Sequence, residues 1–293
     1  MIPASQQRGV LVTGGAGFIG RELLRGFAAR GWRAIGCGRR AAPSGDGAWR
    51  WYDLTSPSLP DALFDGVDVL VHAAYAKEDY GANVTGSRLL LERASCHGVG
   101  HVVFLSSLAA HPRALSQYGK QKYELERAFD AHGALVIRPG LVIGGGGTFG
   151  AISAYLRTHR FVPLVDGGSQ PLQTVFVDDL VDALCSATQR GDRGIYTVAE
   201  RVPVPYRTFY DELARRMRTR IAYLSLPFWV ADLAVRTAGR MGVTLPIDRD
   251  NLLGLRAMQS DVGRRLDPSD RPVGDYRENL ARAAAAGVFA SPG

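Results

Sequence analysis

Between residue 8 and about residue 140, short runs of β-branched and aliphatic residues alternate with longer stretches whose apolar positions recur every three or four residues. The short runs read as strands: Arg8–Thr13, Arg33–Gly38, Ala48–Tyr52, Asp68–His72, His101–Leu105 and Ala134–Arg138. Among them Gly17–Arg30, Gly81–His97 and Ser116–His132 read as helices, the first closed by Gly31. Apolar strands separated by amphipathic helices predict an α/β fold, a doubly wound parallel sheet covered on both faces. Ligands of such sheets sit beyond the carboxyl ends of the strands.

After Gly140 the pattern loosens. Gly144–Gly147 reads as a loop, Phe149–Thr158 as a helix, and Gln173–Val177 as a strand leading into a helix from Asp178. Asp178 and Asp179 suit the positive amino end of that helix. Residues 200–293 are rich in Arg and Ala and read as helical, with breaks at Pro203, Pro205, Pro227 and Pro246. The expected organisation is a nucleotide-binding domain over 1–165 plus about 172–200, with a smaller, mostly helical C-terminal substrate lobe over about 201–293 and parts of 141–171.

Bulk properties narrow the classes. No apolar run is long enough for a bilayer, and the first eight residues lack the apolar core of a signal peptide. Cys37, Cys96 and Cys185 are scattered, which argues against disulfides and a thiolate metal site; a cytoplasmic protein with no metal is expected. The net charge of +7 does not point to nucleic acid, because the basic residues form no stripe and are not interleaved with aromatics. Almost all of it is Arg, with Lys only at 77, 120 and 122. A small-molecule substrate is expected, with no nucleic acid, no membrane and a possible homodimer.

Thr13-Gly-Gly-Ala-Gly-Phe-Ile-Gly20 joins the first strand to the first helix. Gly14 permits a tight turn, Gly17 lets backbone approach a pyrophosphate, and Gly20 lets helix and strand pack closely. The phosphates then rest on the helix amino end beside Phe18 and Ile19. After the second strand, where a carboxylate would accept from a ribose 2′-hydroxyl, the chain has Gly36-Cys-Gly-Arg-Arg40. Gly38 presents no repelling charge and Arg39 can fork onto a 2′-phosphate, so NADP(H) is expected over NAD(H), which stays possible. Asp53, followed by Leu54, can accept from an adenine amine or cap its own turn; residue type leaves both open. Ala73 and Ala74 follow His72 with side chains small enough for backbone to pass beneath a cofactor.

Tyr118-Gly-Lys-Gln-Lys122 opens a predicted helix and sets Tyr118 and Lys122 one turn apart, where both are expected to meet the cofactor and Lys122 can reach the nicotinamide ribose. A phenol ordinarily titrates near 10, and a neighbouring ammonium is expected to draw it toward neutrality. Ser106 and Ser107 end a strand, where a hydroxyl can reach a substrate oxygen.

Together these residues resemble the extended short-chain dehydrogenase/reductase superfamily, the NAD-dependent epimerase/dehydratase-like group, whose fold is the Rossmann type. The resemblance places T-G-x-x-G-x-x-G on Thr13, Gly14, Gly17 and Gly20, and the catalytic set on Ser107, Tyr118 and Lys122. Ser107 is chosen over Ser106 because the second serine of such pairs usually carries the role. Asn83 matches the helix asparagine that holds a relay water, Pro139 the turn that meets the nicotinamide, and Val177-Asp-Asp-Leu180 the V-x-D-L segment. Two departures stand out: Ser107 and Tyr118 are only eleven positions apart, and Leu172 falls where many family members carry an arginine for a sugar-nucleotide diphosphate. The stretch from Leu226 to Leu255 is similar to a looser group that includes non-catalytic NADPH-binding relatives.

The leading expectation is an oxidoreductase moving hydride between NADP(H) and a secondary alcohol or ketone, with Tyr118 as general acid/base. Alternatives are a nucleotide-sugar epimerase, dehydratase or 4-keto-reductase, and a non-catalytic NADPH-binding module. The intact Ser107, Tyr118 and Lys122 weigh against the last.

Overall fold

The computed structural model describes residues 7–39, 48–77, 79–240, 248–260 and 263–289. Arg40 and Pro246, noted above, lie outside them. The first half alternates as the hydrophobic pattern demands: β1 (Gly9–Thr13), α1 (Phe18–Ala29), β2 (Arg33–Gly38), β3 (Ala48–Trp51), β4 (Val69–His72), α2 (Tyr80–Cys96), β5 (His101–Leu105), α3 (Gln117–Ala131) and β6 (Leu135–Pro139). Then come β7 (Leu141–Ile143), α4 (Gly147–Thr158), β8 (Phe161–Val165), β9 (Pro171–Leu172), β10 (Thr174–Phe176), α5 (Val177–Arg190) and β11 (Gly194–Val198). The remainder supplies β12 (Val204–Pro205), α6 (Tyr206–Arg216), β13 (Ala222–Leu226), α7 (Phe228–Arg240), α8 (Arg249–Ala257) and α9 (Tyr276–Ala285).

Seven strands form one parallel sheet in the order β11-β6-β5-β4-β1-β2-β3, the Rossmann arrangement. Alternate residues of each central strand feed opposite cores. Val10, Val12, Val69, Val71, Val103 and Leu135 face α1 and α5 through Leu23, Phe27, Leu180 and Leu184. Leu11, Leu70, Phe104 and Val136 meet Leu90 of α2 and Leu125 and Phe129 of α3 on the other side. Each strand therefore buries both faces, which is why it reads as an almost unbroken apolar run.

The second half holds more strand than its pattern predicts. β11, the seventh strand of the sheet, lies in a stretch that gave no strand signal, and three further pairings (β7 with β10, β8 with β13, β9 with β12) are two-stranded. These strands are two to five residues long, too short for a clear period of two. α4 begins at Gly147, so the predicted glycine loop is shorter than expected. Asp179, in the first turn of α5, is buried and accepts from Arg271 (3.1 Å) and from Arg282 of α9 (2.7 Å). That contact ties the end of the chain to the nucleotide-binding half. Cys37 and Cys185 are buried, Cys96 is exposed, and all three are free. Among the described residues no helix is long and apolar enough to cross a membrane.

Candidate active site

The turn after β1 is shaped by close backbone approach. Gly14 has φ +69°, and a Cβ there would lie 3.0 Å from the Ala73 carbonyl and Ala74 amide. A Cβ on Gly20 would come within 2.2 Å of the Gly14 carbonyl, so only glycine lets α1 start this near β1. The cap residue Gly17 offers no side chain to the first helical amides, and no acidic residue stands in the first turn. Those amides are left for an anion. Phe18 turns away and packs on Gly144 and Gly146, where any Cβ would strike its ring.

The turn, the end of β2 and the loop after β3 enclose a cavity of about 300 Å³. Gly14, Gly17, Arg39, Asp53, Leu54 and Ala74 line it together with Gly38 and Tyr75, so six of the expected cofactor residues converge there. Gly36 makes room for Trp49, whose ring would lie 2.5 Å from a Cβ at that position. Asp53 is engaged in its own turn: Oδ1 accepts from the Thr55 amide (2.9 Å) and hydroxyl (2.8 Å). Slight burial acts to raise this carboxyl, but the two bonds from Thr55 and the charge of Arg39 outweigh it and hold the group below its ordinary range. Turn cap and cavity wall are thus the same residue.

Beneath Ala73 and Ala74 runs a neutral chain of side chains. The Thr13 hydroxyl accepts from both alanine amides (3.1 Å each) and lies 2.8 Å from His72 Nδ1. With its lone pairs taken, the hydroxyl donates to Nδ1, so the proton of a neutral His72 ring is on Nε2, which donates to Ser87 (2.8 Å). Burial, with the charge of Lys122 in second place, depresses His72 to about 3, and the ring stays neutral between Phe104 and Phe129.

Ser107, Tyr118 and Lys122 converge beyond β5. Ser107 acts on the Tyr118 phenol, opposing the upward push of burial on it, and its hydroxyl accepts from the Ala109 amide (3.2 Å). Ser106 is committed elsewhere: it donates to Glu126 (2.5 Å), whose carboxylate also takes a two-pronged bond from Arg138 (2.8 and 2.6 Å). Ser106 is thus occupied within the fold, whereas Ser107 acts on Tyr118. Lys122 is buried, donates to the Leu105 carbonyl (2.8 Å), and lies 6.0 Å from the Tyr118 ring centre. Burial depresses it to about 8, against the opposing pull of Glu126.

The expected effect of Lys122 on Tyr118 is corrected here. Burial raises the phenol above its ordinary value, Ser107 opposes that, and the tethered ammonium does not reverse it. Asn83, expected to hold a relay water, has a structural duty of its own. Its Oδ1 accepts from the Ala76 amide (2.8 Å), and its Nδ2 donates to the carbonyls of Ala76 (2.7 Å) and Asp79 (3.0 Å), fixing the Tyr75–Ala76 wall of the cavity. Pro139 ends β6 at the same edge of the sheet but does not line the cavity. Ile19 is half-buried in the first turn of α1, against the core.

Three residues were missed. Tyr75 stands edge-on to Tyr118 with ring centres 5.2 Å apart, and Tyr80 donates to Asp250 (3.4 Å). Asp250, on α8, accepts from the amides of Gln117 (2.5 Å) and Tyr118 (3.2 Å), while Ser116 caps Gly119 (3.0 Å). The open amides of α3 are thereby answered, two of them by a carboxylate 132 or more positions away. No sequence signal marks that pairing.

Placed against known proteins, residues 10–199 match the profile of the NAD dependent epimerase/dehydratase family, and the chain belongs to that family. It is an NAD(P)-dependent enzyme of the short-chain dehydrogenase/reductase superfamily. A ceramide reductase of Caulobacter vibrioides (strain NA1000 / CB15N) is 34% identical over 161 residues, half of this chain and half of that protein. A 4-hydroxy-2-methyl-3-oxo-4-farnesyl-3,4-dihydroquinoline-1-oxide ketoreductase of Stigmatella aurantiaca is 28% identical over 270 residues, 80% of this chain and 79% of that one. The structure of an NAD dependent NDP-hexosamine 5,6-dehydratase of tunicamycin biosynthesis superposes with a TM-score of 0.68 at 20% identity, covering 95% of this chain and 97% of that one.

Proposed function

We propose that this enzyme is an NADPH-dependent reductase of ketones that carry an apolar tail. The observation that carries the reading is the convergence of Ser107, Tyr118 and buried Lys122 beyond β5, with Tyr118 edge-on to Tyr75 of the glycine-lined cavity and its phenol raised by burial. Gly38 and Arg39 at that cavity favour the 2′-phosphate form.

NADPH, when bound, would supply the hydride equivalent to the carbonyl carbon. Ser107 holds the carbonyl oxygen, and Tyr118 donates its proton to it. Because burial keeps the phenol protonated, Tyr118 starts as an acid, which suits reduction better than oxidation. Lys122, depressed to about 8, passes a proton back to Tyr118 more readily than an ordinary lysine. Tyr75, edge-on to Tyr118, supplies an apolar wall for the substrate. A polar head joined to a hydrocarbon tail is what the names of the ceramide and farnesyl-quinoline reductases share. Leu172, buried in β9, offers nothing to a sugar-nucleotide diphosphate.

The test is a panel of tailed ketones and nucleotide sugars, with NADPH absorbance and product followed together. Net NADPH consumption with a tailed ketone is expected. Conversion of a nucleotide sugar with no net cofactor change, and no ketone reduced, would overturn the reading.

A further inference from the structure

Several of the most exposed large apolar side chains gather in one part of the second lobe: Phe161 (69%), Leu224 (52%), Trp229 (69%) and Leu233 (55%). In the β8–β13 ribbon Phe161 pairs with Ala222 and Pro163 with Leu224, so these four share a face. Leu226, next along that face, packs with Phe228, Ala231 and Leu252 at the root of α7. From there Trp229 and Leu233, four positions apart, continue the apolar exposure along the helix.

Charge beside this face is predominantly positive. Arg160, Arg218 and Arg220 are exposed at the amino ends of the two strands, which meet where the Ala222 amide donates to the Arg160 carbonyl (2.7 Å). Residues 157–165 and 213–231 contain no Asp or Glu. Arg215 and Arg216 share the single carboxylate of Glu212, and Asp232 is shared by Arg236 and Arg249. Asp166 caps the Phe228 amide, and Asp211 accepts from Tyr223.

We propose that this face docks on the surface of an anionic lipid bilayer. Trp229, Leu233, Phe161 and Leu224 enter the headgroup–acyl boundary while Arg160, Arg218 and Arg220 meet the lipid phosphates. A second copy of the chain is a poor occupant, because a two-fold contact would set these arginines against their own equivalents. The expectation of no membrane partner rested on the lack of a spanning segment, which a surface contact does not need. α7 packs on α8, whose Asp250 caps the catalytic helix, so docking brings the candidate active site to within one helix of the lipid. The proposal goes beyond the reductase reading and does not depend on it, since binding is measured without turnover.

The experiment is flotation of the full chain with phosphatidylcholine vesicles, with and without phosphatidylglycerol. Binding to the anionic vesicles is expected, weaker by on the order of a hundredfold on pure phosphatidylcholine, and screened by salt. Combined Arg160→Ser, Arg218→Ser and Arg220→Ser substitutions should erase that preference. Trp229→Ser with Leu233→Ser should weaken anionic binding by about tenfold or more while leaving the melting temperature and cofactor affinity unchanged. The proposal fails if the parent does not float, or if either set of variants floats as the parent does. It also fails if light scattering shows a parental dimer that Trp229→Ser with Leu233→Ser converts to monomer, because a second copy then covers the face.

Discussion

The cofactor cradle and the catalytic helix meet at the same edge of the sheet but are held by different means. The base of the cradle is made from neutral groups that are near one another in sequence or on adjacent strands: Gly14, Gly17 and Gly20 in one turn, and Thr13, backed by a neutral His72, under Ala73 and Ala74. The amino end of α3 is held by a charge, Asp250, that belongs to α8, more than 130 positions further along the chain. One is fixed when the sheet forms, and the other only when α8 docks. Substitutions in the first should therefore act on cofactor binding, and substitutions in the second on turnover.

Tyr118→Phe should separate the two regions most sharply. It removes one oxygen, and kcat with a reducible ketone should fall by about 10²–10⁴, with cofactor Kd unchanged. Parental turnover in this variant would remove Tyr118 from the chemistry.

Next in size is Gly17→Val. A Cβ at Gly17 meets only the Gly14 carbonyl, at 3.1 Å, so the fold should survive, while the added methyls occupy the phosphate approach. Titration calorimetry should show cofactor affinity down by about a hundredfold or more, roughly 2.7 kcal/mol, beside a nearly parental melt. Undiminished binding would mean that the turn is only a turn.

Arg39→Ala sharpens the cradle side further. A forked contact to the 2′-phosphate contributes about 1.5–3 kcal/mol, so NADPH should weaken about tenfold to a hundredfold and NADH hardly at all. Equal affinities for the two cofactors in the parent would end the NADPH preference.

Asp250→Ala tests the other side. It leaves the Gln117 and Tyr118 amides without their carboxylate, and turnover should drop by about tenfold with cofactor Kd unchanged. The reverse pattern, weaker cofactor binding at parental turnover, would erase the distinction between the two regions.

The smallest effect is a pH dependence. Lys122 falls from 10.5 to about 8 on folding, so below about pH 8 the folded chain carries a buried ammonium at a full penalty. Between about 8 and 10.5 the unfolded chain binds the extra proton, and the penalty fades as pH rises. Relative to the parent, Lys122→Met should melt higher below pH 8, with the gap closing toward 10.5. Reading the difference removes the opposing drift from Cys37 and Cys185, whose thiols burial pushes up. A gap independent of pH would show that Lys122 is not buried as a charge.

The cradle was largely legible in the sequence because its causes are local. A glycine turn between a strand and a helix declares itself within eight residues, and the Tyr118–Lys122 spacing declares itself within one helical turn. Ser107 could be told from Ser106 only through family resemblance; the physical reason, Glu126 capturing Ser106, needs α3 folded against β5. Asp250 had no local signal at all, since an aspartate in the first turn of an exposed helix ordinarily serves that helix. The direction of the Tyr118 shift was misread for a related reason. Spacing predicts that a lysine is near, but not that burial outweighs it. β11 escaped because its five residues begin at Gly194, three positions after Gly191, with little room for periodicity.

That late strand has a consequence for synthesis. β11 pairs with β6, and its outer edge is then covered by the tail, where Thr197 donates to the Arg264 carbonyl (2.7 Å) and the Leu266 amide returns to Thr197 (2.9 Å). Until residue 198 leaves the ribosome, β6 is an open edge of a hydrophobic parallel sheet, and until residue 266 emerges β11 is one. A nascent chain stalled between those points has its whole nucleotide-binding core and an unguarded strand. Truncations ending there should therefore associate with one another or with chaperones, even though every residue of the cradle is already present.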